Sequence, residues 1–245
     1  MPRLHRALAL IGWLFLVQGA AADKLRLVAD AWPPFTDGTL VNGGVATDIV
    51  STALARAGYA SEFEQVPWAR ALLGVSEGRY DVLVNAWYND ERTQFGQFSG
   101  EYLLNRVRFL KRKDAPIEFN NLQQLHTYPI AIVRGYAYSA EFDNDDSLQK
   151  VPVHNFSMAV RMLAADRVKL TLEDEYVARY YLARESPKVR NAVEFLPKPL
   201  SENSLHILVS LKNPQHEQIV AGFDREIAKM KADGSYARLL KQHGM

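Results

Sequence analysis

Two hydrophobic periods alternate along residues 25–87, and that alternation leaves the chain few architectures. "LRLVAD" at 25–30 is a short apolar strand that runs into the Pro/Gly-rich loop "AWPPFTDG". In "ATDIVSTALARAG" at 46–58, Ile49, Ala53, Leu54 and Ala57 fall on one helical face, and Gly58 can stop the helix. "SEFEQVP" at 61–67 is a second strand. "WARALLGVSEG" at 68–78 is a second helix with Trp68, Ala71, Leu72 and Val75 on one face. "YDVLVNAW" at 80–87 is a third strand, fully buried. Strand, helix, strand, helix, strand calls for parallel pairing with helices on the sheet faces.

The pattern then restarts. "VRFLKRKDAP", "YPIAIVRGYAYS", "VPVHNFS", "VKLTLEDE" and "VEFLPKP" read as strands, with helices "MAVRMLAADR", capped by Ser157, and "YVARYYLARES" between them. "NSLHILVSLKN" is a strand pair or one long strand. Asn213 and Pro214 suit a helix start, Ile219, Phe223, Ile227 and Met230 repeat at about four, and "ADGSYARLLKQHG" closes with a turn and a short helix. The expected fold is α/β and two-lobed, with mostly parallel sheets, helices on both faces and two hinge strands. The crossovers are expected near 109–113 and 193–199. The expected limits are a leader over 1–22, a first lobe from 23–110 and 196–245, and a second lobe from 111–195.

The start of the chain carries an export pattern. "MPRLHR" is basic, "ALALIGWLFLVQG" is apolar but short for a bilayer span, and Ala20-Ala21-Ala22 fits the small-residue cleavage rule. Cleavage is expected after Ala22, in the bacterial periplasm. Removing Arg3 and Arg6 takes the formal charge from +1 to about −1, a balance that does not suggest nucleic acid. With no cysteine, a disulfide-stapled scaffold, thiolate metal site or cysteine nucleophile is excluded.

Other chemistries lack their spacing. The histidines at 126, 154, 206, 216 and 243 form no metal-binding pair. There is no GxGxxG, GxxxxGK[ST] or GxSxG. "DNDD" at 143–146 lacks the glycine of a calcium loop. The five cations between Arg106 and Lys113 are read as a solvated strand edge. No metal, cofactor or nucleic acid is expected.

What remains is a cleft at the carboxyl ends of the strands. The loops there offer Asp30, Trp32 and Phe35, then Trp68 with Arg70, then Asn85, Trp87, Asn89 and Arg92. From the second half come Arg134, Tyr136, Tyr138, Glu173 and Asp174. An arginine on one side and a carboxylate on the other suit a zwitterion, with aromatic faces around its side chain. Strand alternation points Glu173 away from the face that Asp174 takes, so Glu173 is read as structural.

Five segments in order resemble the periplasmic solute-binding proteins of the polar amino-acid type, solute-binding family 3. They are "LRLVADAWPPF", "GGVATDIVSTALARAG", "EGRYDVLVNAWYNDERTQFGQFSGEYL", "LAADRVKLTLEDEYVARYYL" and "LVSLKNPQHEQIVAGFDREIAKMKADGSYARLLKQHG". The resemblance implies that Arg92 holds a ligand α-carboxylate, Asp174 its α-ammonium, and Trp32 stacks on it, with Trp68 lining the pocket. Asp30, Arg70, Asn85, Trp87 and Tyr136 complete the expected site. Asn89 stands where the family has Ser or Thr, and Tyr136 and Ala137 follow Gly135 where it has small hydroxylic residues. The implied function is capture of a small polar solute for an ABC transporter or a membrane sensor, by a monomer that is not an enzyme. A periplasmic enzyme on the same scaffold, similar to cyclohexadienyl dehydratases, is the alternative.

Overall fold

The computed structural model describes residues 24–134, 136 and 138–245. The leader expected over 1–22 lies outside the described residues, as do Gly135 and Ala137. The first half runs β1 (Leu25–Ala29), α1 (Val45–Arg56), β2 (Ser61–Gln65), α2 (Trp68–Ser76), β3 (Val82–Trp87) and β4 (Gly96–Phe98). β5 (Leu103–Arg112) leads to β6 (Ile130–Val133), α3 (Ala140–Asp143), β7 (Lys150–Val153), α4 (Phe156–Ala164), β8 (Leu170–Asp174), α5 (Glu175–Leu182) and α6 (Pro187–Ala192). β9 (Val193–Ser210) returns to α7 (His216–Ala232) and α8 (Ser235–Gln242).

One sheet runs through both lobes in the order β2-β1-β3-β9-β5-β8-β6-β7, with β4 also paired to β9. β1 is parallel to β2 and β3, and β6 is parallel to β7 and β8. The antiparallel pair β5–β9 joins these halves. Each half carries apolar packing on both sheet faces. In the first lobe Leu27, Ile49 and Phe223 share one core, while Val28, Ala71 and Leu208 share the other. In the second, Phe109, Phe142 and Leu172 pack on one face and Leu110, Ala131 and Val160 on the opposite one.

The two central strands pass from one lobe to the other without a break. Leu103 packs in the first lobe and Val107 in the second. On β9, Leu200 packs in the second lobe and Leu205 in the first. These switches lie before 109–113 and after 193–199, the segments marked by loop punctuation in the sequence. Nothing in the residue types of a continuous strand announces where its side chains change core.

Several local expectations are corrected. β5 is a central strand, not an edge, and its cations are paired: Arg106 with Glu202, Arg108 with Glu175 and Lys111 with Glu194. "VEFLPKP" and "NSLHILVSLKN" are parts of one strand. That strand carries Pro197 and Pro199, and its register with β5 shifts around Arg108. Proline cannot donate to a ladder, and the Arg108 guanidinium donates instead to the carbonyl of Leu196 at 2.8 Å. α4 is capped by Asn155, whose side chain accepts from the Met158 N–H at 2.9 Å, so Ser157 lies inside the helix. α7 starts at His216, two residues later than expected: the Asn213 side-chain oxygen accepts from the Gln215 N–H at 2.9 Å and closes the turn before the helix.

Gly44 connects this packing to the loop that carries Trp32. It holds φ +95°, and the N–H groups of Val45 and Ala46 that follow donate to the carbonyls of Pro34 and Phe35. A Cβ at residue 44 would approach the Phe35 carbonyl oxygen to 2.6 Å. Gly44→Ala is therefore expected to destabilise the protein by at least about 1–3 kcal/mol. The check is a lower urea midpoint with an unchanged m-value.

Candidate functional site

The carboxyl ends of β1 and β3 face the ends of β6 and β8 across a cavity of about 420 Å³. The first lobe lines it with Asp30, Trp32, Trp68, Asn85, Trp87 and Arg92, and the second with Tyr136, Tyr138, Glu173 and Asp174. Eight of the nine expected site residues thus share one cavity. Arg70 does not line it. Two residues past Trp68 on α2, it is turned about 200° around the helix and is exposed. Ala31, Tyr88, Asn89 and Val107 also line the wall.

The aromatic wall is built from the β1 loop outward. Trp32 packs on Phe35 at 4.5 Å between ring centroids and meets Trp87 edge-on at 6.0 Å. Phe35 is fully buried behind it. The Trp87 indole N–H donates to Asn105 Oδ1 at 3.0 Å, which fixes the ring. Asn105 is 0% exposed, and its Nδ2 donates to Asp174 Oδ2 at 3.1 Å. A single buried amide therefore joins the wall of one lobe to the acid of the other.

Arg92 lies in the helical turn Asp90–Gln94 after β3. Its Nη1 donates to the Trp87 carbonyl at 2.8 Å, and its guanidinium stands 5.2 Å from the Trp68 ring centroid. Partial burial lowers its pKa, and among the described residues it makes no ion pair. A half-buried guanidinium held by neutral groups retains the capacity to take an anion.

Asp174 caps α5. Oδ1 accepts from the Tyr176 and Val177 N–H groups at 2.9 and 3.1 Å, and Oδ2 accepts from Asn105 and from the Arg106 N–H at 3.2 Å. Burial nevertheless raises its pKa to about 6, against the lowering effect of those bonds.

Glu173 overturns the alternation expectation. It lines the same cavity as Asp174, which is at once the last residue of β8 and the cap of α5, at φ −53°, ψ 137°. Glu173 is 4% exposed and accepts from the Asp174 N–H at 3.0 Å, with no cation paired to it among the described residues. Burial raises its pKa to about 8, and the Asp174 charge pushes the same way. Tyr136 and Tyr138 stand nearby with raised phenol pKa values, that of Tyr136 at about 12.

Asn85 leaves one group unused. Its Nδ2 donates to Asp30 Oδ1 at 3.1 Å and to Thr36 Oγ1 at 3.4 Å, and its Oδ1 is buried with no donor. An unmet buried acceptor costs about 1–3 kcal/mol. No group of three or more His, Cys, Asp or Glu among the described residues is placed to hold a metal.

A two-lobed sheet with two hinge strands and a ligand-sized cavity between the lobes is the periplasmic-binding-protein architecture. The model of the bacterial extracellular solute-binding proteins, family 3, matches residues 25–245, and the chain belongs to that family. Among solved structures, it is similar to the GluR0 ligand-binding core in complex with L-glutamate, at 19% identity, covering 91% of this chain and 98% of that one, TM-score 0.72. It is also similar to a mutant of the arginine-binding protein of T. maritima, at 19% identity, 89% and 93% coverage, TM-score 0.65. A third is a histidine kinase sensor domain with similarity to periplasmic binding proteins, at 18% identity, 89% and 95% coverage, TM-score 0.67. At these identities the likeness establishes the fold.

Glu173 also sets a pH dependence. The unfolded chain releases this proton near the ordinary carboxylate pKa of about 4.3, the folded chain only near 8. The folded state thus binds more protons between those values, so the contribution is fully present below about pH 4.3 and is lost as pH rises through 8. Glu173→Gln is expected to flatten the fall in stability between pH 6 and pH 9 and to be the more stable protein at pH 9. Urea midpoints across that range check it, and an unchanged slope would mean that another group carries the fall.

Proposed function

We propose that the protein captures a small, amino-acid-like zwitterion between its lobes outside the cytoplasm. It would pass the solute to an ABC permease or present it to a membrane sensor. The observation that carries this is a half-buried Arg92 with no ion pair among the described residues, in the same cavity as the acid of Asp174. The α-carboxylate is assigned to Arg92 and the α-ammonium to Asp174, between the Trp32, Trp68 and Trp87 rings. Similar structures include an arginine-binding protein bound to arginine, a ligand-binding core in complex with L-glutamate and a sensor domain, which supports both the ligand class and either destination. The lobe limits are proposed to fall where β5 and β9 change core.

The test uses protein stripped of carried-over solute by one unfolding and refolding cycle. An amino acid at a hundred times its Kd is expected to add about 2.7 kcal/mol of stability in a thermal-shift screen. Arg92→Ala is expected to weaken the hit about 10- to 100-fold, the loss of a charge-assisted hydrogen bond. A hit that survives Arg92→Ala unchanged would refute the assignment.

One observation favours a second reading. Glu173 faces the cavity as a buried acid that keeps its proton at neutral pH, the state from which a general acid acts. That suits an enzyme similar to the cyclohexadienyl dehydratases. Turnover of prephenate or arogenate by the wild type, lost in Glu173→Gln, would decide for it.

A further inference from the structure

We propose that Asn105 is the positioning residue of the cleft, the one that fixes the spacing of Arg92 and Asp174 across the crossing between the lobes. The inference rests on the reading of those two residues as the ends of a zwitterion clamp.

Three observations carry it. The first is an unbroken chain of hydrogen bonds between the two charged ends. Arg92 Nη1 donates to the Trp87 carbonyl at 2.8 Å, the Trp87 indole N–H donates to Asn105 Oδ1 at 3.0 Å, and Asn105 Nδ2 donates to Asp174 Oδ2 at 3.1 Å. Asn105 is fully buried and does not line the cavity, so it reaches a ligand only through Trp87 and Asp174.

The second is the chemistry of that position. An indole N–H only donates and a carboxylate only accepts, so the group between them has to accept on one side and donate on the other. A primary amide does both from one rigid plane, and these two partners leave it one orientation. An aliphatic side chain here would leave the indole N–H and the carboxylate oxygen each short of a partner. A carboxylate would set a further acid against Asp174.

The third is where the amide stands. Asn105 lies between Leu103, which packs in the first lobe, and Val107, which packs in the second. When one lobe rotates against the other, groups move least at the strands that join them. The start of α5 is held to the first lobe as well: Val177 packs in its core, and Tyr176 meets Phe35 edge-on at 6.2 Å between ring centroids. Asp174 ends a strand of the second lobe, yet it is tied to the frame that carries Arg92.

The experiment has two measurements. The first needs no ligand. The Trp87 indole N–H resonance, assigned with Trp87→Phe, is followed by NMR between pH 5 and pH 9. It is expected to move as Asp174 titrates near pH 6. Glu173, beside it, titrates near pH 8, and Glu175 and Arg106 are held in ion pairs with Arg108 and Glu202. The step is expected to vanish in Asn105→Ser, whose hydroxyl is too short to span both partners. Asn105→Ala is the second variant, and a native-like thermal melt is the folding control for each.

The second is calorimetric titration of the stripped protein with L-arginine and L-glutamate, and with their counterparts that lack the α-amino group, δ-guanidinovalerate and glutarate. Asn105→Ser is expected to weaken an amino acid about tenfold, as for a lost hydrogen bond to a charged group, and its counterpart by less than about threefold. Arg92→Ala is run beside it. No step in the wild type, a step that persists in the Asn105 variants, an unweakened amino acid, or equal losses for an amino acid and its counterpart would overturn this inference. If Arg92→Ala still weakens the amino acid, the clamp stands without it. Binding that ignores Arg92→Ala, or no binding by any of the four, would remove the clamp and this inference with it.

Discussion

The antiparallel pairing of β5 with β9 is the constraint on which the rest of the protein depends. It is the ladder that carries the chain out of one lobe and back into it. The α/β halves on its flanks mirror each other, β2-β1-β3 on one side and β7-β6-β8 on the other. In parallel sheets the carboxyl strand ends carry the loops that meet ligands. The central pair turns the two sets of ends toward each other, so the cavity is a consequence of the topology. Asn105 lies on β5 opposite Asn203 in register, between the two cores. Its amide holds Trp87 with one end and Asp174 with the other, so both walls of the cavity are referenced to the crossing itself.

Desolvation dominates the electrostatics of the cavity. Asp174 has four hydrogen bonds that favour its charged form, and burial still raises its pKa. Glu173 has one such bond, and its pKa rises further. Outside the cavity the order reverses. Asp81, bonded to Arg26 and Asn213, is held below its ordinary value although partly buried. The difference is the partner: a guanidinium repays the cost of burial that amides and backbone N–H groups only reduce. Among the described residues the cavity therefore holds acids without paired cations and an arginine without a paired acid, an arrangement suited to a ligand that carries both charges.

Much of this was legible in advance for local reasons. The strand and helix periods of the first half, the stop at Gly58 and the ring residues of the "AWPPF" loop depend on residues a few positions apart. The Arg92 turn was marked by its neighbours in the same way. Errors arose where distant contacts compete with local preference. The arginines of β5 look like a solvated edge until acidic partners from β9 and the start of α5 are brought beside them. β4, α3 and α6 are too short for their periods to stand out.

The sequence by itself determined the two-lobed α/β class and which loops would line the cavity between the lobes, because hydrophobic period and turn chemistry are local properties. Only the tertiary structure decided that Glu173 shares the cavity with Asp174. Asp174 is both the last residue of β8 and the cap of α5, a junction for which a simple alternation rule makes no provision. The buried amide of Asn105 and the unmet oxygen of Asn85 were equally out of reach. Whether a polar group is satisfied is a property of its surroundings, and those surroundings come from residues up to 69 positions away.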